Sequence, residues 1–176
     1  MINIRFIDET KKNDINIKNE PFLIYGRMVP CYNGKWSYTT KLLSEDKSYL
    51  MTFPDENYCY DELAKNSFFV GAYNEDNKCI GLAIYQESWT KYLYLYDIKV
   101  QSDYKKLGVG KALIEKGKEI AAEHNYNGIY TQGQDNNLSA CLFYIHTGFK
   151  IGGLDTMVYA GTKQQGKSDI IFYLDL

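Results

Sequence analysis

Seven residues, Lys105-Lys-Leu-Gly-Val-Gly-Lys111, carry the plainest chemistry in the chain. Gly108 and Gly110 sit where a helix would start, and there the unpaired N–H groups of a first turn point outward at the positive end of the helix dipole. With Lys105, Lys106 and Lys111 beside them, these residues have the makings of a phosphate cradle. Two familiar cradles are excluded by count. A Walker A loop needs glycine where the chain has Lys105 and Ser or Thr where it has Ala112, and a dinucleotide-binding GxGxxG needs glycine at Leu113. The same segment also suits a glycine-eased turn capped by solvated lysines, and the loop alone leaves both open.

The rest of the composition narrows the setting. With 176 residues, 45% of them hydrophobic, the chain can bury one sizeable core, and a single domain over 1–176 is expected. A formal charge of -2 provides no basic field for nucleic acid or an anionic membrane, so neither is expected as a partner. No apolar run approaches membrane-spanning length, and the opening MINIRFIDETKK has no apolar signal core, so a cytoplasmic protein is expected. Cys31, Cys59, Cys79 and Cys141 lie far apart with only His124 and His146 to join them, which fails the spacing of a metal site; buried free thiols are expected. Tyrosine, at 17 residues, is over-supplied and implies wet, aromatic-walled surfaces.

Hydrophobic patterning sets the elements that must hold the loop. A strand is read near Ile2 to Ile7, followed by a polar stretch to Glu20 with a short helix. Phe22 to Val29 and Lys35 to Leu43 flank a Pro30 to Gly34 turn as a hairpin, and Asp55 to Asn66 is read as a helix. Ser67 to Tyr73, Cys79 to Tyr85 and Lys91 to Val100 form an antiparallel meander. Val109, Ala112, Leu113, Ile120 and Ala121 make one stripe of a helix from about Gly108 to Asn125. Gly128 to Gln132 is a strand reached by that crossover, and a helix over Asn137 to Thr147 starts behind Asp135 and Asn136 and stops at Gly148. Phe149 to Tyr159 and Asp169 to Leu174 close as a hairpin, which gives a mixed α/β fold.

At this point the sequence resembles the GNAT superfamily of N-acetyltransferases, whose acetyl-CoA loop reads R/Q-x-x-G-x-G/A between a strand and a helix. Here the slot holds Lys105-x-x-Gly108-x-Gly110, with lysine in place of Arg or Gln. A second motif, Asn137-x-x-Ala140-x-x-Phe143-Tyr144-x-x-x-Gly148-Phe149, falls where the superfamily has it, so the resemblance covers about 67–159. A narrower resemblance, to streptothricin acetyltransferases, lies in Gln132-Gly-Gln-Asp-Asn-Asn-Leu138, in the Gly148 to Tyr159 ending with its Asp155-Thr-Met-Val-Tyr159, in Trp89-x-Lys91 and in Asp97-Ile98-x-Val100. It implies a mostly antiparallel sheet flanked by helices, acetyl-CoA as co-substrate and no metal.

The resemblance also assigns roles. It implies that Ile98, Lys99 and Val100 line the pantetheine arm, with the Ile98 N–H polarising the thioester, and that Lys105, Lys106, Leu107, Gly108, Val109, Gly110 and Lys111 hold the pyrophosphate. Asn137, Ala140 and Phe143 complete the cofactor side, and Tyr144 protonates the leaving sulfur. Close relatives carry Glu directly before Asp97, where this chain has Tyr96; the base is therefore left open among Asp97, Glu87 and a water relay. Asp155, Tyr159 and Trp89 fall on the substrate side.

The acceptor implied is a small cationic amine, streptothricin, taken up by a monomer or homodimer. Glu45, Asp46, Asp55, Glu56, Asp61 and Glu62, set among Tyr49, Phe53, Tyr58 and Tyr60, have the charge and ring faces such a cation needs; they equally suit a solvated acidic loop. Acetylation of protein or peptide amines, and a non-catalytic acyl-CoA-binding module, stand as the other readings.

Overall fold

In the computed structural model, which describes residues 2–176, the strands and helices in chain order are β1 (Asn3–Phe6), β2 (Phe22–Ile24), β3 (Gly26–Tyr32), β4 (Trp36–Leu42), β5 (Tyr49–Met51), α1 (Tyr60–Leu63), β6 (Ser67–Tyr73), β7 (Cys79–Gln86), β8 (Tyr92–Val100), α2 (Val109–Glu123), β9 (Gly128–Gln134), α3 (Leu138–His146), β10 (Lys150–Asp155) and β11 (Asp169–Asp175). The described chain divides into two units that alternate along the sequence, one of 2–20, 52–129 and 176, the other of 21–51 and 130–175.

In the first unit, β7 is a continuous apolar run buried along nearly its whole length, the mark of a central strand covered on both faces. It pairs antiparallel with β6 and β8, and β1 adds antiparallel to the free side of β6, in the order β1-β6-β7-β8. Ile7, Ile15, Phe69, Tyr73, Leu82 and Ile84 form a core on the sheet, covered by Ile17, Tyr58, Tyr60 and Leu63. Helix α2 packs on the same strands, and its buried stripe is Val109, Leu113, Ile114, Gly117, Ile120 and Ala121. The expected stripe had Ala112 in it; Ala112 is half-buried, and Ile114 and Gly117 belong to the face instead. Gly117 is there for room: a Cβ would stand 2.3 Å from the ring of the fully buried Tyr85, whose hydroxyl donates to the Leu113 carbonyl at 2.9 Å. Gly117→Ala is therefore expected to lower stability by about 1–3 kcal/mol through overpacking, read as a fall in melting temperature. An unchanged melting temperature would mean that the helix is free to shift off the strand.

In the second unit, β11 lies between β9 and β10 and pairs antiparallel with β10. Strands β3 and β4 form a two-stranded hairpin, β2 pairs with β5, and α3 packs on β3. Met28 N donates to the Asp135 carbonyl at 2.9 Å, which ties β3 to the segment entering α3.

Several expected boundaries move, each for a local reason. The hairpin turn is Asn33 to Lys35, with Gly34 left-handed at φ 76, and Pro30 lies inside β3; a two-stranded ladder leaves one side of each strand without a ladder partner, where proline's missing N–H costs nothing. Phe22–Ile24 leaves that hairpin to pair with Tyr49–Met51, a strand the sequence reading missed. The polar stretch after β1 is a 3-10 segment, Glu9–Asn16, broken at Lys11. The helix expected over Asp55 to Asn66 shrinks to Tyr60–Leu63. Asn57 is left-handed, and side chains take over its neighbours' backbone groups: Asn16 accepts from Tyr58 N at 2.7 Å and donates to Tyr58 O at 3.0 Å, while Asn19 donates to the Pro54 carbonyl at 2.8 Å. Asn137, not Asp135 or Asn136, caps α3. β10 ends at Asp155, whose Oδ1 accepts from Met157 N and Val158 N at 2.8 and 2.9 Å and turns the chain away before Tyr159. All four cysteines are free, but only Cys79 and Cys141 are buried; Cys31 and Cys59 are exposed, contrary to expectation.

Candidate functional site

The glycine loop has a specific backbone shape. After β8 ends, the Glu20 carboxylate receives both the N–H and the hydroxyl of Ser102, at 2.7 and 2.6 Å, and fixes the way out of the strand. Lys106 is then left-handed at φ 63 and Gly108 at φ 82. A lysine in that region is uncommon, and such strain collects at binding loops. Gly108 caps α2 with no side-chain bond, and the first intrahelical bond is Ala112 N to Gly108 O at 2.9 Å; the N–H groups of Val109, Gly110 and Lys111 precede it. Lys105, Lys106, Leu107, Gly108 and Lys111 are exposed, and nothing lies within 4 Å of a Cβ built on Gly108. A helix N-terminus open to solvent, with lysines around it, suits a pyrophosphate.

Upstream, β8 carries a bulge. Ile84 pairs with Asp97 and Tyr85 with Leu95, so Tyr96 is an extra residue without an opposite on β7. Past the bulge, Asp97 sits in a tight polar group. Tyr58 Oη donates to Asp97 Oδ2 at 3.1 Å, and Lys99 Nζ lies 3.3 Å from the same oxygen. The same ammonium is ion-paired with Glu56 and bonded to the Ile17 carbonyl at 3.4 Å. Burial pushes the Asp97 carboxyl above the usual aspartate range; Lys99 pulls it back down and Glu56 pushes it further up. For Glu56 burial works upward too, yet the bonds from Lys99 and Asn19 hold it below the ordinary range. Burial, with Asp97 and Glu56 beside it, raises Tyr58 far above an ordinary phenol, so Tyr58 is a donor at any working pH. The sequence reading missed the role of Tyr58 and Glu56 at Asp97, because about 40 residues separate partners that only the fold brings together; the acid and aromatic content of that stretch was the sole clue.

The other readings in this unit divide between β8 and the surface. Ile98 and Val100 are half-buried in β8. Glu87, just past β7, is exposed with its N–H given to the Asn66 carbonyl at 2.9 Å, and Trp89 is 97% exposed.

In the second unit, Tyr144 is buried on α3, its ring centroid 5.2 Å from Phe172, 5.4 Å from Phe149 and 5.6 Å from Phe143. Asn137 Oδ1 accepts from Ala140 N at 3.2 Å, so that oxygen is committed to the cap. Ala140 and Phe143 are half-buried on the same helix. Asp135 instead faces Arg27 at 3.4 Å, and Asn136 Oδ1 is buried without a hydrogen-bond partner. Asp155 is exposed and spent on its turn, whereas Tyr159 donates to Asp169 Oδ1 at 2.8 Å; burial pushes Tyr159 up to about 12. Among the described residues no group of His, Cys, Asp and Glu could hold a metal ion, and no helix is long and apolar enough to cross a membrane.

The comparisons with known proteins join these pieces. The acetyltransferase (GNAT) family model matches residues 31–149. Streptothricin acetyltransferase A of Bacillus subtilis (strain 168) is 37% identical over 161 residues, 91% of this chain and 92% of that protein. A protein from Bacillus anthracis str. Ames, solved in complex with acetyl coenzyme A, aligns with TM-score 0.87 and 31% identity over 100% of this chain and 99% of its own. Nourseothricin acetyltransferase shares the fold, with TM-score 0.80 at 23% identity, over 99% of this chain and 98% of its own. The matched stretch takes in the bulged strand, the glycine loop and the Asn137 helix alike, and on it the chain belongs to the acetyltransferase (GNAT) family.

Proposed function

We propose that this chain transfers the acetyl group of acetyl-CoA to a primary amine of streptothricin, in the cytoplasm, as an N-acetyltransferase that inactivates the antibiotic. The observation that carries this reading is the 37% identity to streptothricin acetyltransferase A along 91% of the chain. The family match draws on residues from both units, which supports reading 1–176 as one acetyltransferase domain.

Amide formation from a thioester sets what the residues must do. An amine protonated at neutral pH has to lose a proton before it attacks the acetyl carbonyl, and the departing thiolate is better released as a thiol. We assign the base to Asp97, whose carboxylate is largely withdrawn from water, in preference to the exposed Glu87. The Ile98 N–H, just past the bulge, would stabilise the oxyanion, and Tyr144 would return a proton to the sulfur. The N–H groups of 108–111 hold the pyrophosphate, with Lys105, Lys106 and Lys111 as cations around it. The ammonium of Lys99 is engaged with Glu56 and Asp97, which leaves the pantetheine to the backbone of Ile98 and Val100. Asn137 would reach the cofactor through its amide NH2, its oxygen being used in the cap. Tyr159, Asp155 and Trp89 stay assigned to the acceptor side.

The test is release of free thiol from acetyl-CoA with streptothricin, run against polyamines, aminoglycosides and peptides. Turnover confined to streptothricin is expected; peptide turnover without it would overturn the reading. In the same assay kcat/KM for this polycation is expected to fall as ionic strength rises, since the Debye length shrinks to about 10 Å at 0.1 M. Asp55→Asn, Asp61→Asn and Glu62→Gln together should flatten that slope. Glu56 is left alone because Lys99 already matches its charge. A parent-like slope in the triple variant would make these carboxylates ordinary solvated surface.

A further inference from the structure

We propose that Lys99 is a positioning residue for the base: its ammonium, clamped between Glu56 and Asp97 past the bulge of β8, fixes the Asp97 carboxylate in place and in its charged form, with the Tyr58 hydroxyl donating to the same oxygen. This rests on the reading of Asp97 as the base.

The geometry is that of a built site. Lys99 Nζ has three oxygen partners, Asp97 Oδ2 at 3.3 Å, the Ile17 carbonyl at 3.4 Å and Glu56, and the Tyr58 ring centroid lies 5.7 Å away. Its side chain is only 10% exposed and that of Asp97 16%, so this is an ion pair largely withdrawn from water. A single lysine at the surface would contribute little; here its position is fixed by groups from three parts of the chain. Asp97 and Lys99 are two apart on β8 and share a face. Ile17 and Glu56 reach them from the segments before β2 and before α1.

A base that takes a proton from an ammonium must itself be ionised before the acceptor arrives. The charged and titratable groups that face Asp97 are Lys99 on its own strand and Glu56 and Tyr58 from the segment before α1; Tyr96 packs on the Tyr58 ring instead, centroids 5.8 Å apart. On the neighbouring strand β7 its opposite is the apolar Ile84. Lys99 is thus the one cation among them, and it opposes both burial and the repulsion of Glu56. Without Lys99, protonation of Asp97 becomes easier and its titration moves to higher pH. The lysine has a second consequence: a cation already beside the base disfavours a second one, so the acceptor amine gives up its proton more readily there.

The experiment uses the full chain with three substitutions. In Lys99→Met the acidic limb of the kcat/KM profile for streptothricin is expected to move up by at least one pH unit. Lys99→Arg should restore it in large part, because the guanidinium keeps the charge. Carbon-detected NMR of Asp97 reads the same titration without turnover, and it should move in the same direction. If the carboxyl titration stays in place in Lys99→Met, or moves while the acidic limb does not, the positioning role is overturned. Asp97→Asn separates the two layers: loss of the acidic limb supports the base, whereas a parent-like limb removes Asp97 as the base and the proposal with it, whatever the carboxyl titration shows.

Discussion

Tyr144→Phe is expected to lower turnover by about 10²–10⁴ while melting temperature and acetyl-CoA affinity stay near those of the parent. The ring of Tyr144 is held by Phe143, Phe149 and Phe172, and Gly133 brings strand β9 so near that a Cβ there would stand 3.4 Å from it. Phenylalanine keeps all of these contacts and removes only the hydroxyl. A loss of rate without a loss of stability therefore isolates the proton given to the leaving sulfur. Thiol release under steady state and a thermal melt on the same sample check it. Near-parent turnover would mean that water protonates the thiolate and that the tyrosine serves packing.

The parts of the fold that could be read from sequence are those whose signal is local and repeated. Strands β6, β7 and β8 come from short apolar runs, and α2 from its stripe, so the meander and the loop at its exit were legible to within about two residues. The 20–60 region was legible only in its hairpin, whose second strand falls within a residue of Lys35 to Leu43; the β2–β5 pairing and the irregular stretch before α1 were not. There the backbone takes its partners from distant side chains, as Asn16 does for Tyr58, and no period in the sequence records that. The same limit applies to the site. Lys105 to Lys111 and Asn137 to Phe149 announce themselves by spacing, because glycine at a left-handed cap and asparagine at a helix start are demands of the backbone itself. The surroundings of Asp97 do not. Tyr96 ahead of Asp97 gives no sign in the sequence of a bulge; the extra residue and the Glu56–Lys99–Asp97 arrangement appear once the strands are paired.

Aspartate at the helix start is expected to weaken acetyl-CoA binding by more than tenfold, whether as Gly108→Asp or as Gly110→Asp, while the free protein keeps its fold. An acidic side chain in the first turn of a helix interacts favourably with the dipole, so α2 itself should not suffer from it. Gly108 is left-handed, a region aspartate enters more readily than most residues, and nothing stands within 4 Å of the new Cβ. The folded state should therefore survive, and the carboxylate then competes for the N–H groups and dipole that would hold the pyrophosphate. Gly108→Asn separates charge from bulk: it has the shape of aspartate without the charge and should cost far less affinity. Calorimetry with acetyl-CoA on folded samples measures all three. Unchanged affinity in the aspartate variants would remove the cradle from the mechanism, and equal losses for asparagine and aspartate would turn an electrostatic site into a steric one.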